Sequence, residues 1–463
     1  MKRVHIVSLG CPKNRVDSEL MIGQLQAEGY TVSPDPEDAD VLVVNTCAFI
    51  DSAKEESIDA ILEMAQHKEA GSAQRLIVTG CLAQRYGAEL ERSMPEVDTF
   101  LGTHEFGRIG AAIRAELPER AYIREGSYLY SARDSRVNTV RGGTSYVKVS
   151  EGCNRSCTFC IIPRIRGRQV SRPVGDVITE AEALGQQGVR EVILVAQDMT
   201  SYGIDYGDRR ALVKLLQGLD EVESLDWVRL MYMYPWNFTD ELLETIVKSE
   251  RVLPYIDMPL QHISAPILKR MRRNIKRDAQ RELLARLRQV PGMVLRTTFI
   301  VGFPGETDAD FRELCDWVEE VEFDRVGVFT YSREENTPAG QMDDQVEPHV
   351  MEERRDHLMA IQQEISERKN QQLVGQRLQV LVDGVSDEHE YVYEGRYYGQ
   401  APEIDGVVYL SYDEGAELAS PGSMVEVEIE EASAYDLKGW VIPDNPLLLS
   451  GDELVLNLPQ LDF

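Results

Sequence analysis

The run Gly152-Cys153-Asn154-Arg155-Ser156-Cys157-Thr158-Phe159-Cys160 constrains this chain more than any other stretch of it. Its cysteines are spaced C-x3-C-x2-C. Three thiolates this close can hold three corners of a cubane iron–sulfur cluster, whose usual complement is four cysteines. No fourth cysteine and no histidine follows within the next dozen residues. One iron would then keep an open position, as a catalytic metal site does and a structural one does not. The same gap argues against a zinc knuckle. An odd count of seven cysteines argues against a disulfide framework.

A second trio is dispersed. Cys11, Cys47 and Cys81 each close a short β-branched run: Val4 to Gly10, Val41 to Thr46, and Arg75 to Gly80. The helical stretches SELMIGQLQAEG and SAKEESIDAILEMAQHKEA separate them. Apolar strands alternating with helices predict a parallel sheet. Cysteine spacings of 36 and 34 residues are each about one βα unit. Ligands of such a sheet gather beyond the carboxyl ends of its strands. That topology would bring Cys11, Cys47 and Cys81 to one sheet edge as a second three-cysteine site, taken to face the first. Asp17 or Ser18 reads as the N-cap of the helix after Cys11, and capping is the expected role of Asp17. Cys315, alone in the helical pattern DFRELCDWVEEV, reads as a small buried hydrophobe.

From residue 145 strands and helices alternate again, with strands predicted in SYVKVSEG, EVILVAQD, WVRLMYMYP, YIDMPLQH, VLRTTFIVGFPG and RVGVFTYSR. Six βα units are too few for a closed eight-unit barrel, so an open partial barrel is expected. Its carboxyl strand ends nominate Gln197, Asp198, Tyr234, Gln261, His262 and the Gly302-to-Thr307 turn. Capping for Gln197 and Asp198, and a structural role for His262, are the plainer alternatives. Arg164, Arg166, Arg168 and Arg172 lie just past the cysteine loop. They are suited to pairing carboxylates, and at least two are expected to pair with acidic surface neighbours instead.

The stretch MEERRDHLMAIQQEISERKNQQLVG reads as a long linking helix. Five short strands follow it and predict a small β-barrel of OB-like size. Residues 371–463 carry 19 acidic residues against Arg377, Arg396 and Lys438, a net of −16 within a chain of net −30. Phosphate binding draws on cations, so this barrel is expected to repel RNA and to attract a basic protein.

With these segments in view, the chain resembles the radical S-adenosylmethionine (SAM) methylthiotransferases from about residue 1 to 441. GCPKNRVDSE, NTCAFI and TGC resemble the family's own N-terminal domain, SEGCNRSCTFCIIPRIRG its radical SAM signature, and the last barrel its TRAM domain. The resemblance implies an α/β protein with an N-terminal methylthiotransferase domain at 1–135 and a partial (βα)6 radical SAM domain at 136–370. A TRAM barrel at 371–441 and a tail at 442–463 complete it. It implies two [4Fe–4S] clusters, held by Cys153, Cys157 and Cys160 and by Cys11, Cys47 and Cys81. SAM would bind at the first, with Phe159, Gln197 and Asp198 as contacts, and the second would carry the sulfur to be inserted.

The stretches GRYYGQAPEIDG and AYDL are most similar to the branch that modifies the β-carbon of an aspartate in the basic small-subunit ribosomal protein uS12. The implied partners are uS12, free or in the small subunit, and a cellular electron donor, for a cytoplasmic monomer with no membrane and no direct tRNA contact. The rival substrate is a tRNA isopentenyl- or threonylcarbamoyl-adenosine. A two-cluster electron carrier and a zinc-stabilised ribosome-binding protein are rivals of other classes.

Overall fold

The structure, a computed structural model, describes residues 2–126, 128–273, 275–386, 392–413 and 418–442. The expected tail lies outside the described residues from 443 onward. Among those described, no helix is long and apolar enough to cross a membrane.

The first unit is a six-stranded, wholly parallel sheet. Its central strands Arg3–Ser8, Val41–Thr46 and Arg75–Gly80 are neighbours in that order. Alternate residues of a strand point to opposite faces. Val41, Val43 and Ile77 pack with Val16, Leu20, Met21 and Leu25 of the helix Pro12–Ala27. Leu42, Val44, Leu76 and Val78 pack with Ile61, Met64 and Leu82 of the helices Asp51–Ala70 and Cys81–Ser93. Cover on both faces explains why Val41–Thr46 is buried throughout and reads as a continuous apolar run.

The central unit is a second parallel sheet of six strands. The strand Thr144–Lys148 forms one edge, followed in order by Glu191–Val195, Trp227–Leu230, Val252–Asp257, Val294–Val301 and Arg325–Thr330. One face packs against its own helices through Val192, Leu194, Val228 and Ile256. The other face, with Tyr146, Ile193, Trp227 and Tyr255, shares a single core with Val16 and Leu20 of the first unit and with Leu381 and Ala401 of the last. The open barrel is therefore filled by its two neighbours.

The helix Pro348–Gln371 leads to five strands in a closed barrel, Arg377–Val385, Tyr393–Tyr397, Val408–Ser411, Met424–Ala432 and Leu437–Val441. Buried Arg396 of this barrel bonds Glu191 of the central sheet at 2.7 Å and Thr144 at 3.0 Å, as well as its own Asp383 at 2.7 Å.

Candidate active site

Each dispersed cysteine sits just past a strand of the first sheet. Cys11 precedes the helix Pro12–Ala27, Cys47 follows the strand Val41–Thr46, and Cys81 opens the helix Cys81–Ser93. Two glycines make this convergence possible. Gly10 and Gly80 have φ of +91° and +97°, in the region that L side chains rarely adopt. A Cβ on Gly10 would meet the Cys47 sulfur at 3.0 Å, and one on Gly80 would meet the Asn45 Oδ1 at 2.4 Å. Asn14 and Asn45 stitch the strand ends together: Asn14 donates to the Leu9 carbonyl at 2.6 Å, and Asn45 donates to the Asn14 carbonyl at 2.9 Å.

Burial shapes both trios chemically. It raises the pKa of Cys47 and pushes Cys81 up to about 12, Cys153 to about 11 and Cys160 to about 12, and neighbouring thiolates push in the same direction. Those four thiols keep their protons unless cations offset the charge. Two guanidiniums approach the sulfurs, Arg166 at 3.4 Å from Cys81 and Arg273 at 3.8 Å from Cys157. The donor set, soft thiolate without an accompanying carboxylate or imidazole, suits iron–sulfur chemistry. Among the described residues no three His, Cys, Asp or Glu side chains group as ligands of a single metal ion. Cys315 is remote from both trios, packed in the central core with Trp317 and Val318.

The two sets of strand ends face each other. Lys13, two residues past Cys11, reaches the Ala196 carbonyl at 3.5 Å and stands 3.1 Å from the centre of the Tyr232 ring, while Arg273 lies 3.8 Å from the Cys157 sulfur and 4.1 Å from the centre of the Tyr234 ring. Tyr232 and Tyr234 are two residues apart past the strand Trp227–Leu230, so one short segment borders both trios. Tyr232 holds a φ of +61°, a conformation costly for a non-glycine residue. Its N–H is fixed at 2.9 Å by Asp257, which Arg296 holds in turn at 2.7 Å.

A buried ionic knot joins the facing edges. Arg166 donates to Asp17 at 2.6 Å, Glu151 at 3.1 Å and Asn14 at 3.0 Å. Lys148 donates to the same two carboxylates. Burial opposes charge on Glu151, yet Lys148 and Arg166 hold its carboxyl at about 2.

Several expectations change here. Asp17 is not a cap: Cys11 is the N-cap residue, and Pro12 starts the helix, its fixed φ and missing N–H suiting the first turn. Asp17 falls one turn further in and is an ion-pair partner instead. Of the four arginines, Arg166 is committed to the knot and Arg172 to Asp176 and Glu180, and the carboxylates Asp17, Glu151 and Glu180 that they meet are buried rather than at the surface as expected. His262 is buried and accepts from the N–H groups of Ile263 and Ser264, each at 3.0 Å. Glu306 of the Gly302-to-Thr307 turn accepts from the Gly302 N–H at 2.9 Å and from Arg354 of the linking helix at 2.8 Å. Thr307 caps the following helix. These groups fasten the turn and the linking helix to the sheet.

Gln197 donates to Glu151 at 2.6 Å and leaves its buried Oε1 without a partner. Asp198 accepts from Arg155 at 2.6 Å and from the hydroxyls of Thr200 and Ser201. Tyr234 is flanked by Arg155 and Arg273, each 4.1 Å from its ring centre. Phe159 is half-buried, edge-on to Phe303 at 6.4 Å. The sequence reading missed Lys13, Glu151, Tyr232, Asp257 and Arg273. The first two stand within two residues of a cysteine, and Asp257 ends a strand; those were the available signals.

Comparison with known proteins agrees with this layout. Residues 3–102 match the uncharacterized protein family UPF0004, 147–318 the radical SAM superfamily, and 374–442 the TRAM domain. The chain is 49% identical over 450 residues to the ribosomal protein uS12 methylthiotransferase RimO of Sorangium cellulosum, covering 96% of this chain and 91% of that protein. It is 46% identical to the protein of that name from Geobacter sulfurreducens, covering 95% of this chain and 99% of the relative. Among solved structures, the radical SAM methyltransferase TsrM of Kitasatospora setae, with cobalamin and a [4Fe–4S] cluster bound, shares the fold. Its TM-score is 0.56 at 15% identity, over 73% of this chain and 74% of that one.

Proposed function

The chain belongs to the ribosomal protein uS12 methylthiotransferases of the radical SAM superfamily, and from that membership we propose how its two cysteine trios divide the work. The enzyme transfers a methylthio group to uS12. Cys153, Cys157 and Cys160 hold the [4Fe–4S] cluster at which SAM binds, and Cys11, Cys47 and Cys81 hold a second cluster. When bound, these groups would supply one-electron cleavage of one SAM, which takes a hydrogen atom from the β-carbon of an aspartate, and a sulfur to replace that hydrogen, with the methyl group coming from a second SAM. That carbon is unactivated, so acid–base chemistry does not reach it and the cofactors must carry the hard step.

The observation carrying this reading is the placement of six cysteines, three past three strand ends of the first sheet and three in the one loop after the edge strand of the facing sheet, with the seventh in a separate core. Neither trio has a fourth cysteine to close its cluster, so each keeps one iron open to a ligand. Arg166 and Arg273 steady the thiolate charge. The free Oε1 of Gln197 accepts a hydrogen bond from SAM, Asp198 beside Arg155 offers its carboxylate to a cationic group, and Phe159 with Phe303 keeps water off the cluster side. The acidic barrel docks the basic substrate protein. A cellular reductant delivers electrons, and the enzyme works as a monomer.

The test is anaerobic. Protein reconstituted with iron and sulfide is given SAM, reductant, uS12 and bulk tRNA together, and both substrates go to mass spectrometry. A methylthio group on a uS12 aspartate with unmodified tRNA is the expected result. A modified adenosine would keep the chemistry and overturn the substrate.

A further inference from the structure

Lys13 lies two residues past Cys11 and is 8% exposed. Its ammonium makes one long hydrogen bond, 3.5 Å to the Ala196 carbonyl, and stands 3.1 Å from the centre of the Tyr232 ring. Among the described residues no carboxylate lies within ion-pair distance of it. Four other buried or partly buried cations nearby each have one, while Arg273 donates to the Pro259 carbonyl and the Cys157 sulfur. Lys148 and Arg166 share Asp17 and Glu151, Arg296 has Asp257, and Arg229 has Glu191. A buried ammonium without an anion is costly, and Lys13 has three N–H donors with one weak acceptor between them.

Its place gives that lack of a carboxylate a meaning. Lys13 starts on the Cys11 edge and reaches across to the facing sheet, touching Ala196, which adjoins Gln197, and Tyr232, which borders both trios. A carbon that is to receive sulfur from one trio and lose hydrogen at the other must sit in this gap. In an aspartate the carboxylate is bonded directly to that carbon, so it enters the same desolvated space.

We infer that Lys13 is the substrate-binding residue that takes the carboxylate of the target aspartate and selects aspartate over asparagine. The inference rests on the proposed aspartate β-carbon reaction. The Tyr232 ring supports the ammonium by a cation–π contact.

The test is a binding cycle on the full-length, anaerobically reconstituted enzyme with SAM and no reductant, so that nothing turns over. Wild type, Lys13→Met and Lys13→Arg are each titrated with uS12 and with uS12 carrying asparagine at the modified position. Wild type should prefer the aspartate form roughly tenfold or more, the scale of a charged hydrogen bond. Lys13→Met should bind both forms alike, and Lys13→Arg should regain part of the preference. A Lys13→Met enzyme that keeps the full preference overturns the inference. So does one that loses iron and acid-labile sulfide and weakens both forms equally, since Lys13 would then serve the cysteines. If reductant is added and wild type leaves uS12 unmodified, the functional reading itself fails, and this inference with it.

Discussion

The guanidinium of Arg166 donates to the sulfur of Cys81 at 3.4 Å. Arg166 belongs to the segment just past the compact cysteine loop, and Cys81 to the dispersed trio. One side chain thus ties the two candidate cluster sites together, while its other nitrogen atom holds Asp17 and Glu151.

Arg166→Met should therefore do two things. It leaves two buried carboxylates with Lys148 as their only strong cation, a loss on the order of 3–5 kcal/mol for a broken buried pair. A lower urea midpoint is expected, with reduced iron at the dispersed trio after reconstitution. An unchanged midpoint would mean that the knot contributes little.

The two trios should separate by mutation. Cys157→Ala should abolish formation of 5′-deoxyadenosine from SAM. Cys47→Ala should still yield 5′-deoxyadenosine and make no methylthio product. A methylthiolating Cys47→Ala enzyme would refute the division of labour.

Asp324 offers a pH test away from the cysteines. Burial alone would raise its carboxyl, but Lys369, Arg288 and the Leu295 N–H hold it below its ordinary value. The unfolded carboxyl titrates near ~3.9. The stabilisation from Asp324 is therefore complete above that pH and is lost as pH falls through the lower native value. Asp324→Asn should lower the urea midpoint at pH 7, and its deficit should shrink at pH values below ~3.9. A deficit independent of pH would rule out the ion pairs as its source.

Arg396 should fasten the acidic barrel to the central sheet. Arg396→Met strips a buried cation from Glu191 and Asp383, at a cost of about 3–5 kcal/mol. Limited proteolysis should then cut near the linking helix faster than in wild type. Equal cutting rates would assign barrel docking to the apolar contacts of Leu381 and Ala401.

If the acidic barrel docks uS12, salt should weaken the complex. Raising NaCl from about 50 to 500 mM shortens the screening length to a few ångströms and should lower affinity mainly through slower association. Salt-independent binding would move the docking surface elsewhere.

Much of the site was legible because it is local. The C-x3-C-x2-C run is contiguous, and each dispersed cysteine comes within three residues of the end of a short strand. Parallel topology then carries all three to one edge. Asp17 was misread for a physical reason. Capping rules favour an Asp or Ser at a helix start, yet Pro12 had already begun the helix. The partner that claims Asp17 is Lys148, 131 residues away. Glu306 shows the same limit: its turn was visible, but its engagement by Arg354 of the linking helix was not.

By itself the sequence determined the main strands, their parallel order, the three dispersed thiols at strand ends and the compact trio in one loop, since periodicity and ligand spacing act over a few residues. Only the tertiary structure decided which buried cations find a carboxylate. Arg166 and Lys148 do, and Lys13 is left reaching across the gap. That outcome depends on how three units pack around one open sheet, and ion pairs formed across more than a hundred residues leave no local pattern to read.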